Sequence, residues 1–227
     1  MKIKDIYLGK RFPFVSIIFA VLCVAVTIIT QLKPSTYLAF AFTYPLKYPW
    51  QAISYVFLHG IVKDLLPPDL PYDSLQLAIG HLAFNLILAL PFGILCEKVL
   101  GSVKFLLLSV AAWLANSAFF LIMAIVMMKP EDGVAIGAGA SGVVFSFMPV
   151  GIFIIFSLGR KFGFKKLFKQ VIFYLLMPVA IITFIIAVSP SIAGVTGVGS
   201  MIVHLLALFV GVVFAIVYRK TIKEYFG

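Results

Sequence analysis

The residues best suited to chemistry in this sequence are one serine, two histidines and one asparagine, all set in apolar segments. His81 and Asn85 are four residues apart, so they share one face of a predicted helix. Ser141 lies among glycines and alanines, whose small size lets another backbone or a substrate approach its hydroxyl. A serine hydroxyl with an imidazole base is the minimum for nucleophilic catalysis, and His204 lies in a later apolar segment.

Each of these residues also has a purely structural interpretation. The small residues around Ser141 are typical of helix packing, and His81 and Asn85 could join helices by hydrogen bonds. Polar groups are costly inside a bilayer, however, and all four are predicted in the outer third of three different spans. The similar depth of these four residues therefore favours a single functional site that contains them all. A zinc site made from His59, His81 and His204 remains an alternative.

The chemistry of such a site is acyl transfer by a serine with a histidine base and no carboxylate. No Asp or Glu lies in the middle of an apolar segment, which argues against an aspartyl dyad and against an ion-coupled transporter. An imidazole buried without a carboxylate stays neutral, and the neutral form accepts the serine proton. The Ser141 backbone N–H, the Asn85 amide and His81 are then the available donors to an oxyanion.

Composition places these residues in a membrane protein. The chain has 227 residues, 63% hydrophobic and 11% charged, and its mean hydropathy is +1.16. The net charge of +10 comes from short basic clusters between apolar runs, which indicates membrane topology and not nucleic-acid binding. Cys23 and Cys96 lie in or beside apolar runs, so we interpret them as packing residues, neither disulfide-bonded nor metal-bound.

Six segments are long and apolar enough to cross a bilayer, which takes roughly 20 helical residues. The predicted spans are 13–32, 78–96, 104–128, 141–158, 170–189 and 199–218. The fourth would reach only about 27 Å, so the irregular stretch 133–140 before it should border a water-filled cavity. The outer loop, 33–77, is rich in aromatic residues and predicts short helices lying in the membrane interface.

The basic residues also predict the orientation. Most of the 18 lysines and arginines fall on the side of the N-terminus, which predicts that both termini are cytoplasmic.

We expect one membrane domain over residues 1–227, in contact with lipid, in a prokaryotic cell membrane. Neither a cofactor nor a metal is expected, and the sequence indicates no oligomeric state. Asn116 and Ser117, in the third span, are interpreted as residues that join helices.

Together these features resemble the rhomboid family of intramembrane serine proteases. The blocks that carry the resemblance are residues 50–59, His81 with Asn85, the Gly139-Ala-Ser141-Gly142 turn, and His204 with Gly211. The resemblance implies an all-α bundle of six transmembrane helices in which Ser141 is the nucleophile and His204 the general base. It also implies that His81, Asn85 and the Ser141 N–H form the oxyanion hole.

The resemblance further assigns supporting roles. Gly139 and Gly142 would allow close approach at the Gly-x-Ser-Gly turn, and His59 would hold the outer loop in shape. Some residues differ from the usual pattern: Phe145 stands where a tyrosine often packs on the catalytic histidine, Gln51 where an arginine often anchors the loop, and Ala207 where glycine is usual. Ala207 and Gly211 still form a small-residue pattern that lets a neighbouring helix approach.

The implied function is that of a serine endopeptidase that cleaves transmembrane segments of single-pass or polytopic membrane proteins near the outer face. By analogy, the fifth span and the glycine-rich loop 189–199 would be the movable side and the cap. Two alternatives come from other classes. One is a non-catalytic rhomboid-like membrane adaptor, and the other is a small-solute transporter whose path the polar residues line.

Overall fold

The computed structural model describes residues 11–65, 73–127, 135–188 and 197–226, and these are mainly helical. The α-helices are α1 (Phe14–Leu32), α2 (Tyr37–Phe40), α3 (Gln51–Ser54), α4 (Ser74–Leu100), α5 (Ser102–Met127), α6 (Ser141–Phe162), α7 (Phe164–Phe168), α8 (Val171–Val188), α9 (Gly197–Val217) and α10 (Arg219–Phe226). Two short strands, β1 (Phe42–Tyr44) and β2 (Ala135–Gly137), form one antiparallel pair.

Five of the described helices, α1, α4, α5, α6 and α9, are long and apolar enough to cross a membrane. Each coincides with a predicted span, and together they support a multi-pass membrane protein. The remaining predicted span, 170–189, corresponds to α8, whose described apolar stretch Val171–Ile185 is shorter than the other five. The count of six spans therefore stays a prediction.

The helix α6 lies at the centre of the bundle. Of its apolar stretch 72% is buried, against 22–39% in the other four long helices, because α4, α5 and α9 all pack against it. The helix continues beyond the predicted end of this span at residue 158, to Phe162, and has 22 residues. At 1.5 Å per residue it is about 33 Å long. That length is sufficient to cross a hydrocarbon core of about 30 Å.

The helices α6 and α9 run parallel and approach each other closely. A Cβ atom on Gly211 would collide with the Ser146 carbonyl oxygen and would lie 3.0 Å from the Pro149 ring. Ala207, one turn earlier, is fully buried on the same face. The small residues at this spacing thus provide the close helix contact that the sequence predicts.

The outer loop is joined to the segment that leads into α6. In the β1–β2 pair, Phe42 is opposite Gly137 and Tyr44 is opposite Ala135. The irregular backbone predicted for 133–140 is therefore wrong over β2, while residues 133 and 134 lie outside the described ranges. The loop contains the short helices α2 and α3, and their position in the membrane interface stays a prediction.

A buried glutamine organises this loop from within. Gln51 is fully buried, and its Oε1 accepts hydrogen bonds from the backbone N–H groups of Lys47 (2.7 Å) and Tyr48 (2.9 Å). Oε1 also accepts a hydrogen bond from the Thr43 hydroxyl at 3.0 Å, and Nε2 donates one to the Leu38 carbonyl at 2.6 Å. A neutral side chain thus anchors the loop at the position where the resemblance leads one to expect arginine.

At the other end of the bundle, a buried carboxylate joins three helices. Glu97, near the end of α4, is 1% exposed. Its two oxygens accept the backbone N–H groups of Val15 (2.9 Å) and Ser16 (2.8 Å) at the start of α1. They also accept hydrogen bonds from the hydroxyls of Ser16 (2.7 Å) and Ser102 (2.6 Å). The carboxylate satisfies N–H groups that a helix start leaves unpaired, so it fixes α1 to α4.

Candidate active site

Ser141 is the first residue of α6, and the two residues before it determine how it is presented. Gly139 has φ +125°, which residues with a side chain rarely adopt, and a Cβ there would lie 2.8 Å from His81 Cε1. Ala140 is the N-cap residue and supplies no side-chain acceptor. The first N–H groups of α6, at the positive end of its dipole, therefore suit an acceptor from outside the helix.

An aromatic contact connects α6 with His204 of α9. The rings of Phe145 and His204 stack with centroids 4.4 Å apart and planes 26° apart. Phe145 follows Ser141 by one turn on the same helix face. Val203 Cγ1 lies 3.1 Å from where a Cβ on Gly142 would stand. Ser141 and His204 therefore lie on adjoining turns of parallel helices, and both are half-buried.

His81 of α4 lies against the turn that precedes Ser141. Its Nδ1 accepts a hydrogen bond from the Gly60 backbone N–H at 3.3 Å. An accepting Nδ1 puts the proton of the neutral ring on Nε2. Nε2 lies 3.0 Å from where a Cβ on Gly139 would stand. His81 thus has an N–H donor beside the serine turn.

Asn85 lies one turn further along α4 and is 2% exposed. Its Nδ2 donates to the His81 carbonyl at 2.9 Å, while its Oδ1 has no partner among the described residues. The amide nitrogen has a second hydrogen to donate. Leaving such groups unpaired inside a protein is costly. The unused capacity of this amide is therefore consistent with binding a ligand.

His59 lies behind the site and supports it. It is fully buried, and its Nε2 accepts the Ala140 N–H at 3.4 Å. Its Nδ1 is 3.3 Å from both the Phe57 carbonyl and the Thr27 hydroxyl. Burial, with a smaller effect of His81, lowers the pKa of His59 to about 3, so the ring is neutral near pH 7. This neutral ring joins α1 and the outer loop to the residue before Ser141.

Asn116 of α5 makes a contact with the site that sequence interpretation did not identify. Asn116 is fully buried, and its Nδ2 donates to the Gly142 carbonyl at 2.6 Å and to the Ala112 carbonyl at 2.8 Å. It does join helices, as predicted, but its partner is the residue directly after Ser141. The signal was an amide in the middle of a span, and the pattern gave no indication of which helix it would reach.

The described residues include no group of three His, Cys, Asp or Glu side chains that could hold a metal ion. Both ring nitrogens of His59 already face protein partners, which gives the zinc alternative no support.

Cys23 and Cys96 are free and buried, which confirms their interpretation as packing residues. Of the loop expected to act as a cap, residues 189–196 lie outside the described ranges.

The fold and the site define a helical multi-pass membrane protein in which three histidines and two asparagines lie near the Ser141 turn. A family model of the Rhomboid domain matches residues 74–221, more than half of the chain. The chain therefore belongs to the rhomboid family and is an integral membrane protein. A comparison with curated proteins finds no match.

Proposed function

We propose that this rhomboid-family protein is an intramembrane serine endopeptidase with Ser141 as nucleophile and His204 as general base. The observation that carries the proposal is the stacking of His204 on Phe145, one turn after Ser141. This contact supports an imidazole close to the serine hydroxyl. The adjoining contact between Gly142 and Val203 supports the same alignment of the two helices.

In this mechanism His204 removes the proton of the Ser141 hydroxyl while Oγ attacks the carbonyl carbon of the scissile peptide bond. The Ser141 N–H, the His81 Nε2–H and the Asn85 amide donate to the oxyanion that forms. The intermediate collapses, the C–N bond breaks, and His204 returns the proton to the leaving amine. Water, deprotonated by His204, then hydrolyses the acyl-enzyme and restores Ser141.

The substrates we propose are transmembrane segments of single-pass or polytopic membrane proteins, cleaved near the outer face. A helical segment holds its carbonyl groups in its own hydrogen bonds, so it must unwind locally before Ser141 reaches one. Glycine and other weak helix formers near the cleavage position lower that cost. We further propose a single membrane domain over residues 1–227, in a prokaryotic cell membrane.

Cleavage of a reporter membrane substrate in proteoliposomes tests the dyad. Ser141→Ala and His204→Ala should each lower turnover by about a thousandfold or more, as in other serine hydrolases. Ser146→Ala is the matched control, because Ser146 is fully buried and its hydroxyl donates to the Val143 carbonyl of its own helix at 2.6 Å. It should keep wild-type activity. Undiminished cleavage by either dyad variant contradicts the proposal.

A fluorophosphonate probe separates this proposal from the rivals. The proposed hydrolase should be labelled in the wild type and unlabelled in Ser141→Ala. A folded wild-type protein that binds client membrane proteins but is never labelled would be a non-catalytic rhomboid-like adaptor. Solute flux through proteoliposomes without proteolysis would favour the transporter.

A further inference from the structure

An apolar groove lies on the flank of the bundle and extends from Met148 and Leu208 toward the end of α6. It has a volume of about 660 Å³ and runs between α6, α8 and α9. All its lining side chains are apolar, including Ile152 and Phe156 of α6, Ala180 and Phe184 of α8, and Val212 of α9. Ile152 and Phe156 are 39% and 50% exposed. The groove therefore suits a hydrocarbon chain lying along α6.

The groove continues into a second cavity of about 580 Å³ at the end of the bundle where α6 finishes. Phe153 and Phe156 line both cavities. The second cavity is basic, and its lining includes Arg160 and Lys161 of α6 and Arg219 and Lys223 of α10. An apolar channel thus leads into a cluster of four cations.

The fold explains why these cations lie at the groove. On α10, Ile222 and Phe226 are buried, which leaves Arg219 and Lys223 on the exposed face. The Arg160 guanidinium lies 5.4 Å from the centre of the Phe156 ring, where the two cavities meet. In the described part of the chain no carboxylate pairs with Arg160, Arg219 or Lys223. These three side chains therefore carry positive charge that no described carboxylate neutralises.

We propose that the two cavities together bind one anionic phospholipid. The acyl chain lies in the groove beside Ile152, and the phosphate is held by Arg160, Arg219 and Lys223. Arginine matches the geometry of phosphate oxygens, and basic pockets between membrane helices suit anionic headgroups. The orientation predicted from the basic residues puts this end in the cytoplasmic leaflet. The phosphate end of the site is about 28 Å along α6 from Ser141, so the headgroup contacts are separate from the proposed catalytic residues, while the other end of the groove reaches Met148 and Leu208.

Native mass spectrometry of the full-length protein in detergent tests the site with two probes. Phosphatidylglycerol should bind, and phosphatidylcholine with the same acyl chains should bind much more weakly. The triple variant Arg160→Gln, Arg219→Gln, Lys223→Gln should weaken phosphatidylglycerol binding by about a hundredfold, at about fivefold per basic residue. Ile152→Trp, which fills the groove, should weaken it by about tenfold, as expected for displaced acyl methylenes.

Two matched controls make the test specific. The triple variant Lys165→Gln, Lys166→Gln, Lys169→Gln removes the same charge from exposed positions that do not line either cavity, and it should leave binding nearly unchanged. Val213→Trp adds the same ring at an equally exposed position on α9 outside the groove.

Four results overturn the proposal. If both triple variants weakened phosphatidylglycerol binding equally, the lipid would be attracted by surface charge in general and not by this cluster. Full competition by inorganic phosphate would show a site for a free anion. Equal binding of phosphatidylcholine would remove the role of the headgroup. Unchanged lipid binding by Ile152→Trp, with slower cleavage of a membrane substrate, would assign the groove to a substrate helix.

Discussion

His59 supports the site as a neutral ring, and this has a consequence for pH. Its pKa is lowered from 6.5 to about 3 by burial, so between these values the unfolded chain binds a proton that the folded chain excludes. The stability that depends on the neutral ring is complete above pH 6.5 and is lost as the pH falls toward 3. The loss is about 1.4 kcal/mol per pH unit for this group.

Thermal unfolding in detergent at several pH values measures that effect. His59→Gln keeps an acceptor for the Ala140 N–H but does not titrate. Its melting temperature should therefore fall less than that of the wild type between pH 7 and pH 5. Wild type and variant share every other titratable group, so equal slopes would contradict the role given to His59.

The hydrogen bond from Asn116 to the Gly142 carbonyl holds the first turn of α6 from the side of α5. In Asn116→Ala this carbonyl keeps the Ser146 N–H as its helical partner but loses the Asn116 hydrogen bond, at a cost of about 0.5–1.5 kcal/mol. Since the carbonyl belongs to the residue after Ser141, we expect a lower kcat with little change in KM. Kinetics with a membrane reporter substrate would measure both values.

Ser117→Ala is the control for this prediction. Ser117 is the next residue on α5, and its hydroxyl donates to the Ala52 carbonyl in the outer loop at 2.8 Å. The variant should lose some thermal stability and keep its kcat. A similar loss of kcat in both variants would indicate that Asn116 acts only through the stability of the bundle.

Single residues show clearly what the sequence could and could not predict. Ser141, His81, Asn85 and His204 stand out because polar side chains are few in apolar spans, where each is costly. Their surroundings depend on contacts between distant parts of the chain. Asn116 reaches a residue 26 positions away, and no local pattern encodes that distance.

At the scale of helices, the contact between α6 and α9 depends on the missing side chain of Gly211. A Cβ there would collide with the Ser146 carbonyl oxygen, which is backbone and does not move aside easily. Gly211→Ala should destabilise the protein by about 1–3 kcal/mol, as overpacking of a core does. It should also lower activity, because it separates the helix of His204 from that of Ser141. Thermal unfolding and reporter cleavage measure the two effects.

Gly199→Ala is the matched variant on the same helix. No atom lies within 4 Å of where its Cβ would be, so the change should be neutral or slightly stabilising by helix propensity. If Gly211→Ala behaves like Gly199→Ala, the close contact between the helices is not required.

The predicted spans agree with helices of the structure, while the ends of those helices and the strand pair could not be predicted. Hydropathy ends the fourth span before Arg160, although the backbone hydrogen bonds of α6 continue to Phe162. The strands β1 and β2 are three residues each and far apart in sequence. Such short segments have no periodicity of their own, so only the folded chain reveals their pairing.

At the scale of the whole molecule, the basic residues make a prediction about orientation. Lysines and arginines near the ends of spans remain on the cytoplasmic side during insertion. In a bacterial host, fusion of a fluorescent protein after residue 227 should give fluorescence, and fusion of alkaline phosphatase there should be inactive. Fusions within the loop 33–77 should give the opposite pair of results. An active phosphatase at the C-terminus would reverse the predicted topology.

The support of the site extends beyond the residues that match the Rhomboid domain, 74–221. His59 and Gln51 lie before that range, and so does Thr27 of α1, which contacts His59. The strand β1 also lies before it and pairs with β2 within it. The N-terminal third of the chain therefore helps to shape the turn that carries Ser141.

The parallel contact of α6 with α9 also has a consequence for biosynthesis. A nascent chain inserted only as far as α6 would have the serine hydroxyl but no His204 ring on Phe145, and the face of Ser146 and Pro149 that packs on Gly211 would be uncovered. The proposed nucleophile would then lack its proposed base until the helix of His204 had left the ribosome. On the proposed function, the protein would be unable to cleave neighbouring membrane proteins throughout most of its own synthesis.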